Sequence, residues 1–143
     1  MKRKLYSFFT LVCALIVTAC LFVGCQKAGD VKATVAQTTE TLVAIQVDEV
    51  DGEVTLLSVM ESLQTEGKLQ FVISGGMVVE INGRANATDF SYCWMLYTSD
   101  AELANDTWGT VSYEGNTYGG AIVGAETLTV TAGALYIWSY QGF

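Results

Sequence analysis

The feature that most constrains the fold is a series of short segments in which apolar and polar residues alternate. Val43, Ile45 and Val47 lie on one face of such a segment, and the pattern returns in residues 69–73 and 77–81. A period of two residues is typical of a half-buried strand. Proline is absent from the sequence, so each of these strands can donate its full ladder of backbone hydrogen bonds.

One segment has helical periodicity instead. Leu56, Met60 and Leu63 recur at the spacing of one helix face. Thr55 can cap the N-terminus of this helix, and Gly67 can end it. Strands precede and follow the helix without a regular strand–helix alternation, so the sequence predicts an α+β fold with a mostly antiparallel sheet.

The second half of the chain adds further predicted strands and one long loop. The predicted strands, separated by turn signals at 82–83 and 132–133, cover residues 91–98, 128–130 and 135–140. Residues 99–120 are polar and rich in Gly and Asn, which predicts a loop. Loops of this length are usually functional or mobile.

The N-terminus has the pattern of an export signal. Cations at positions 2–4 precede an uncharged and mostly apolar run, residues 5–24. Small residues followed by Cys near the end of this run resemble a bacterial lipobox, so we expect residues 1–24 to be a lipoprotein signal peptide. The lipid is expected on Cys25 or, alternatively, on Cys20. An uncleaved signal anchor is the other interpretation, because about 20 apolar residues can span a bilayer.

The charge of the exported part bears on its surroundings. Polar, aperiodic residues 25–40 predict a flexible tether, and residues 41–143 the folded domain. From Cys25 onward, four Lys and Arg side chains stand against 15 acidic ones, a net charge of −11. This charge argues against nucleic acid and against attraction to an anionic leaflet. We therefore expect the lipid alone to hold the domain on the extracytoplasmic face of the cell membrane.

Enzymatic chemistry is not expected. Histidine is absent from the sequence, which removes His triads, His general bases and His metal ligands. Cys93 lies in an apolar run without a neighbouring base, which predicts a buried, inert thiol. The acidic turns around Asp48 and Asp100 lack the spacing of a calcium-binding loop and are expected to be solvated. We predict no catalytic residue and no metal site.

The final predicted strand carries one group of candidate ligand-binding residues. Tyr136, Trp138 and Tyr140 share one face, and Leu135 and Ile137 share the other. One interpretation is that both faces are buried, one beneath the helix and one beneath the long loop. The other is that the aromatic face forms a platform for a ring-shaped ligand or a sugar.

The long predicted loop carries a second group of candidates, namely Trp108, Tyr113 and Tyr118. A large aromatic side chain in a polar, Gly-rich loop has no obvious core role, which favours contact with a ligand. The alternative is that these rings fold back onto their own sheet.

Several motifs occur in an order that is similar to the order in a known family of domains. The motifs are Val54–Leu57 opening the helix, Gly75–Gly76, Asn82–Gly83, Tyr92–Tyr97, and Gly133 before Tyr136–Tyr140. Together, over about residues 41–141, they resemble the transcobalamin-like C-terminal domain family (DUF4430). The resemblance implies a small β-rich, β-grasp-like domain with a helix packed on its sheet. In the vertebrate cobalamin carriers, the similar domain closes over one face of the corrinoid.

These observations lead to two expectations about function. The first is a non-enzymatic lipoprotein domain that binds a small ligand, with cobalamin or another corrinoid as the candidate implied by the resemblance. Such a domain would hand its ligand to a transporter or to a second envelope protein. The alternative is a protein–protein interaction or scaffold module of the cell envelope without a small ligand.

Overall fold

Two antiparallel sheets and one helix make up residues 29–142, the part of the chain that the computed structural model describes. Every strand pairing recorded among these residues is antiparallel. The predicted α+β class with a mostly antiparallel sheet is therefore confirmed.

The strands are numbered in chain order. They are β1 (Asp30–Thr38), β2 (Leu42–Asp51), β3 (Phe71–Ser74), β4 (Met77–Ile81), β5 (Arg84–Ala85), β6 (Tyr92–Thr98), β7 (Ala104–Tyr113), β8 (Asn116–Ala121) and β9 (Leu135–Gly142), and the helix α1 is Leu56–Thr65. The large sheet has the order β1-β2-β9-β6-β8-β7, and the small sheet has the order β3-β4-β5. The C-terminal strand thus lies between β2 and β6, in the middle of the large sheet.

The predicted helix is confirmed at both ends. Thr55 has extended backbone angles, and its side-chain oxygen accepts a hydrogen bond from the Ser58 amide at 3.2 Å. Gly67, just beyond the last turn, has a φ of 72°, a conformation that glycine adopts without strain. The helix buries Leu56, Val59, Met60 and Leu63, the face that the apolar spacing predicted.

The large sheet has apolar residues on both faces. On its inner face, helix α1 and the small sheet cover the side chains of β2, β9 and β6, and together they form the main core. On its outer face, Val111 and Tyr113 of β7 pack with Leu135 and Ile137 of β9 in a second, smaller core. The long hairpin β7–β8 therefore covers the face that helix α1 does not reach.

The predicted tether is wrong over most of its length. Residues 30–38 form β1, which pairs with β2 from Asp30 opposite Asp51 to Thr38 opposite Val43. The physical reason is a weak alternation in which Val31, Ala33 and Val35 are partly buried against the main core. Small and polar residues around them conceal this period. Residues 25–28 of the predicted tether lie outside the described part of the chain.

The predicted loop over residues 99–120 is also wrong, because most of it forms β7 and β8. The hairpin turns at Glu114 and Gly115, which have φ angles of 49° and 80°. The polar composition reflects strands with an exposed face, whereas Val111 and Tyr113 alternate toward the second core. Composition alone therefore mistook a half-exposed hairpin for a loop.

The short strand predicted at residues 128–130 does not form as such. Thr129 makes a single bridge with Thr55, and Leu128 and Val130 on either side are buried in the main core. The backbone of this segment pairs locally, since the Leu56 amide donates to the Leu128 carbonyl at 2.8 Å. The alternation of Leu128 and Val130 therefore predicted two buried side chains correctly, but the strand that it also predicted does not form.

Candidate functional site

A concavity of about 550 Å³ lies at the open end of the main core, between the small sheet and strands β6–β8. We call it the tryptophan groove, because each of the chain's 3 tryptophans lines it. Its lining residues come from the β3–β4 hairpin, from strands β6 to β9 and from the connecting segments 86–90 and 122–125: Gly76, Met77, Val78, Asn86, Phe90, Cys93, Trp94, Met95, Leu96, Trp108, Ala121, Ile122, Val123, Gly124, Ala125 and Trp138.

The tryptophans occupy different depths of the groove. Trp138 on β9 and Trp94 on β6 are each only 5% exposed, whereas Trp108 on β7 is 57% exposed. The Trp94 Nε1 donates to the Arg84 carbonyl at 2.7 Å. The buried Trp138 Nε1 has no hydrogen-bond partner within the described residues. The groove thus has a rim ring, an anchored ring and a buried ring with an unused donor.

Local backbone irregularities place Trp108 at the rim. The pairing of β7 with β8 shifts register between Asn105 and Thr110, so the segment that carries Trp108 leaves the regular ladder. Gly120 of β8 lies close to the Trp108 backbone, since a Cβ at this position would come within 3.2 Å of the Trp108 Cβ and 3.3 Å of the Trp108 carbonyl oxygen. The register shift and the glycine therefore let the Trp108 backbone lie close to β8.

The rim gathers exposed apolar side chains. Among the described residues, 7 large apolar side chains are exposed, and five of them line this groove: Met77, Phe90, Trp108, Ile122 and Val123. Soluble proteins usually scatter such residues singly, and a contiguous exposed patch marks an interaction site.

A tight turn holds Phe90 at the rim. The Phe90 amide donates to the Ala87 carbonyl at 2.9 Å, and the residue has a φ of 58°, which is rare for a bulky side chain. The Asp89 carboxylate accepts hydrogen bonds from the Ser91 side chain and amide at 2.6 and 3.0 Å, and these lower the pKa of Asp89. The turn therefore holds the Phe90 backbone in an unfavourable conformation while its ring is exposed. Strained backbone of this kind is common at binding sites.

The lining carries no charged side chain. Its one side-chain amide, Asn86, is engaged, because its Oδ1 accepts from the Trp94 amide at 2.9 Å and its Nδ2 donates to the Val78 carbonyl at 3.4 Å. The half-buried Cys93 thiol lies 3.5 Å from the Phe90 carbonyl. A groove of this kind favours an uncharged, mostly apolar ligand.

Of the candidates on the final strand, Tyr136 is a core residue. Its side chain is fully buried, and its hydroxyl accepts a hydrogen bond from the Thr131 amide at 2.9 Å. Burial raises the pKa of this hydroxyl. Both faces of the strand are buried from Leu135 to Trp138, and Tyr136 presents no surface to a ligand.

Tyr140 is half-buried in a separate aromatic cluster. Its ring stacks on Tyr92 at 5.8 Å and meets Trp94 edge-on at 5.4 Å between ring centroids. The Arg84 guanidinium carbon lies 4.2 Å from the centre of the ring, and the Tyr140 hydroxyl donates to the Ala85 carbonyl at 3.2 Å. These contacts cover the ring with protein and fix the end of the small sheet.

Of the candidates in the predicted loop, Tyr113 and Tyr118 fold back onto their own sheet. Tyr113 is buried in the second core, and Tyr118 packs against that core from β8. Burial raises the pKa of the Tyr113 hydroxyl, and the charge of the neighbouring Glu114 raises it further. The structure therefore brings only Trp108 and Trp138 of the six aromatic candidates into one site.

Sequence reasoning missed the other rim residues. Phe90 carried a usable signal, because it is a large apolar residue between Asp89 and Ser91 in a polar turn. Ile122 and Val123 follow the Gly-rich end of β8 and had no local signal. Only the three-dimensional arrangement brings them to the same groove.

Two further predictions concern lipid and metals. The predicted lipid attachment at Cys25 or Cys20 lies outside the described residues. Within residues 29–142, no helix is both long and apolar enough to cross a membrane. No group of three His, Cys, Asp or Glu side chains in that range is arranged to hold a metal ion.

The fold and the groove together define a small antiparallel α+β domain with an apolar cleft beside its main core. Comparisons of the chain with models of protein families, with curated proteins and with solved structures found no match.

Proposed function

We propose that this chain is a lipid-anchored extracytoplasmic protein whose domain binds a small, uncharged and mostly apolar ligand in the tryptophan groove, without catalysis. The observation that carries the proposal is the convergence of 3 tryptophans and most of the exposed apolar side chains on one uncharged groove. Leaving such side chains exposed gives no benefit to folding, so their convergence favours a role in binding.

The size and depth of the groove support a small molecule as the occupant. Its volume of about 550 Å³ falls in the usual range for small-molecule sites, roughly 300–1,000 Å³. Trp108 at the rim can lie flat on a bound ring while Trp138 contacts it from below. Binding through these contacts needs no reactive group, which is consistent with a carrier rather than an enzyme.

The resemblance to the transcobalamin-like C-terminal domain family supports a more specific version of this proposal. The domain would be β-grasp-like, and its ligand would be cobalamin or another corrinoid, one edge of which enters the groove. A transporter or a second envelope protein would then receive the ligand.

The binding proposal is tested by calorimetric titration of the full chain, held in lipid nanodiscs, with cobinamide and with cobalamin. The change to make is Trp108→Ala, which removes the rim ring, and the matched control is Val72→Ala. Val72 is 48% exposed and lies outside the groove. We expect a saturable heat of binding in the unmodified chain. Trp108→Ala should lower the affinity at least about tenfold, as loss of a stacked aromatic contact does in binding sites. Val72→Ala should leave the affinity unchanged.

Equal affinity in the two variants would contradict the assignment of the groove. If neither corrinoid gives heat but a neutral naphthalene probe binds saturably, the groove is a binding site and a corrinoid is not its ligand.

The anchoring proposal is tested by mass spectrometry of the membrane fraction. We expect a mature chain that begins at an acylated Cys25 and that loses its membrane attachment in Cys25→Ser. Acylation at Cys20, with Cys20→Ser as the variant that detaches, would move the site by five residues. A chain that retains residues 1–24 and carries no lipid would contradict the proposal.

One observation favours the alternative of a protein–protein interaction module. Strand β1 is an edge of the large sheet, and within the described residues it pairs only with β2. The outer backbone groups of this strand are available to a partner strand. One pull-down with two variants distinguishes the proposals. If an envelope protein binds through β1, Ala33→Pro should no longer capture it, whereas Trp108→Ala should still capture it.

A further inference from the structure

The buried indole N–H of Trp138 points to a chemical requirement for the ligand. Resting on the proposed function, we infer that the groove selects an uncharged, largely apolar ring compound that carries a hydrogen-bond acceptor, such as a carbonyl oxygen, for the Trp138 Nε1. The inference names a ligand class for the groove and assigns Trp138 as the residue that determines specificity.

The indole N–H of Trp138 is a hydrogen-bond donor without a partner among the described residues. Trp138 is 5% exposed and lines the groove. Buried polar groups in folded proteins are almost always hydrogen-bonded, and an indole N–H can only donate. Its missing partner is therefore an acceptor. Because the Trp138 side chain lines the groove, a ligand bound there is the source of acceptor that the inference assigns to it.

The other polar side chains of the indole and amide type in the lining are either hydrogen-bonded to the backbone or exposed to water. The Trp94 Nε1 donates to the Arg84 carbonyl, and both ends of the Asn86 amide are bonded to the backbone. Trp108 is more than half exposed, so its N–H can meet water. Trp138 is the one lining indole among the described residues that has neither a protein partner nor an exposed ring.

The lining of the groove disfavours a charged ligand. No cationic side chain lines the groove, and Arg84, the one arginine among the described residues, lies over the Tyr140 ring. A carboxylate in the groove would lose its hydration without gaining a counter-charge. A neutral acceptor satisfies the Trp138 donor without this cost. An amide carbonyl at the edge of a corrinoid and the carbonyl of an aryl ketone share this chemistry.

The test uses probes that differ only at the acceptor. The full chain in detergent micelles is titrated with 2-acetylnaphthalene, 2-ethylnaphthalene and 2-naphthoate, with partition into empty micelles subtracted. The affinities are measured from the indole N–H signals in a ¹⁵N-correlated spectrum, which contains one such signal for each of the 3 tryptophans.

We expect 2-acetylnaphthalene to bind about three- to tenfold more tightly than 2-ethylnaphthalene, the factor that one net hydrogen bond supplies. The Trp138 N–H signal should move downfield with the ketone and not with the hydrocarbon. 2-Naphthoate should bind more weakly than either. In Trp138→Phe the preference for the ketone should disappear, whereas Trp94→Phe should keep it because the Trp94 donor is already used.

The outcomes separate the inference from the proposed function. If both neutral probes bind with equal affinity, or if Trp138→Phe keeps the preference, the inference is wrong and the groove remains a binding site. If neither neutral probe binds, the proposed function and the inference both fail. The signal shift in the unmodified chain decides the question even if Trp138→Phe does not fold.

A competition experiment distinguishes a corrinoid amide from a smaller carbonyl compound as the acceptor. Cobinamide, added to a complex already saturated with 2-acetylnaphthalene, should displace the ketone if a corrinoid amide occupies the same place. Failure to displace it would assign the groove to smaller carbonyl compounds and leave the Trp138 requirement intact.

Discussion

The inner face of the large sheet is closed at one end and open at the other. At the β2 end, helix α1 covers the sheet, and Ile45, Leu56 and Met60 are fully buried. At the β6–β8 end, the same face carries Trp94 and Trp138, but exposed side chains and a groove replace the covering helix. The two ends share one sheet and one continuous core, so the difference lies in what covers them.

This contrast assigns different roles to similar residue types. Apolar side chains beneath α1 lose their hydration when the chain folds, and they stabilise the domain. Apolar side chains at the groove rim keep much of their hydration after folding and can lose it only when something binds. Stability and binding should therefore respond to different substitutions.

The largest expected effect is at the closed end. Met60→Ala removes a fully buried side chain and leaves a cavity between α1 and the sheet. We expect the free energy of unfolding to fall by about 2–5 kcal/mol, measured by urea denaturation. The affinity of the remaining folded protein for a neutral groove probe should not change. A loss of affinity in folded Met60→Ala would show that the two ends are coupled.

A smaller effect should separate two tryptophans within the groove. Trp94→Phe removes a hydrogen bond and leaves the Arg84 carbonyl without its donor, which costs about 1–3 kcal/mol beyond the change in packing. Trp138→Phe removes a donor that has no protein partner, so it loses no hydrogen bond and should destabilise less. Urea denaturation of both variants measures the difference. Equal losses would indicate that the Trp138 N–H is satisfied in the unliganded protein.

The smallest effect is a dependence of stability on high pH to which Tyr136, a residue of the main core, contributes. Burial raises the folded-state pKa of Tyr136 above its ordinary value of 10.0. The unfolded chain therefore loses this proton at a lower pH than the folded chain does. The contribution of Tyr136 to stability is fully present below pH 10 and is lost as the pH rises through the folded-state pKa.

Tyr136→Phe checks this contribution. The variant should unfold with a shallower loss of stability above pH 10 than the unmodified chain. Tyr92→Phe, which changes an exposed ring, is the matched control and should follow the unmodified chain. Parallel curves for Tyr136→Phe and the unmodified chain would contradict the assignment.

Periodicity predicted the closed end well. The helix face of Leu56, Met60 and Leu63 and the alternation of β2 and β9 are local patterns, and each depends on residues a few positions apart. The Asn82–Gly83 turn was also predictable, since its φ angles of 48° and 82° suit Asn and Gly. Strand β1 was missed because small residues weaken its alternation.

The groove was predictable only in part. Trp108 was identified because an indole in a polar segment has no local reason to be there, and it proved to be exposed. Tyr113 has the same local signal, yet it alternates with the exposed Ser112 and is buried with Val111 in the second core. Phe90 and Trp138 come from segments far apart in the sequence, and no local pattern indicates that they line one site.

The most direct test that the open end of the sheet binds a ligand independently of the closed end is a ¹⁵N-correlated spectrum of the full chain during titration with 2-acetylnaphthalene. This spectrum records the indole N–H signals and the backbone amide signals together. The account predicts that the signals of Trp94, Trp108 and Trp138 all shift with one shared dissociation constant, while the amide signals of helix α1 stay in place. Signals that never saturate, or a shift confined to helix α1, would contradict it.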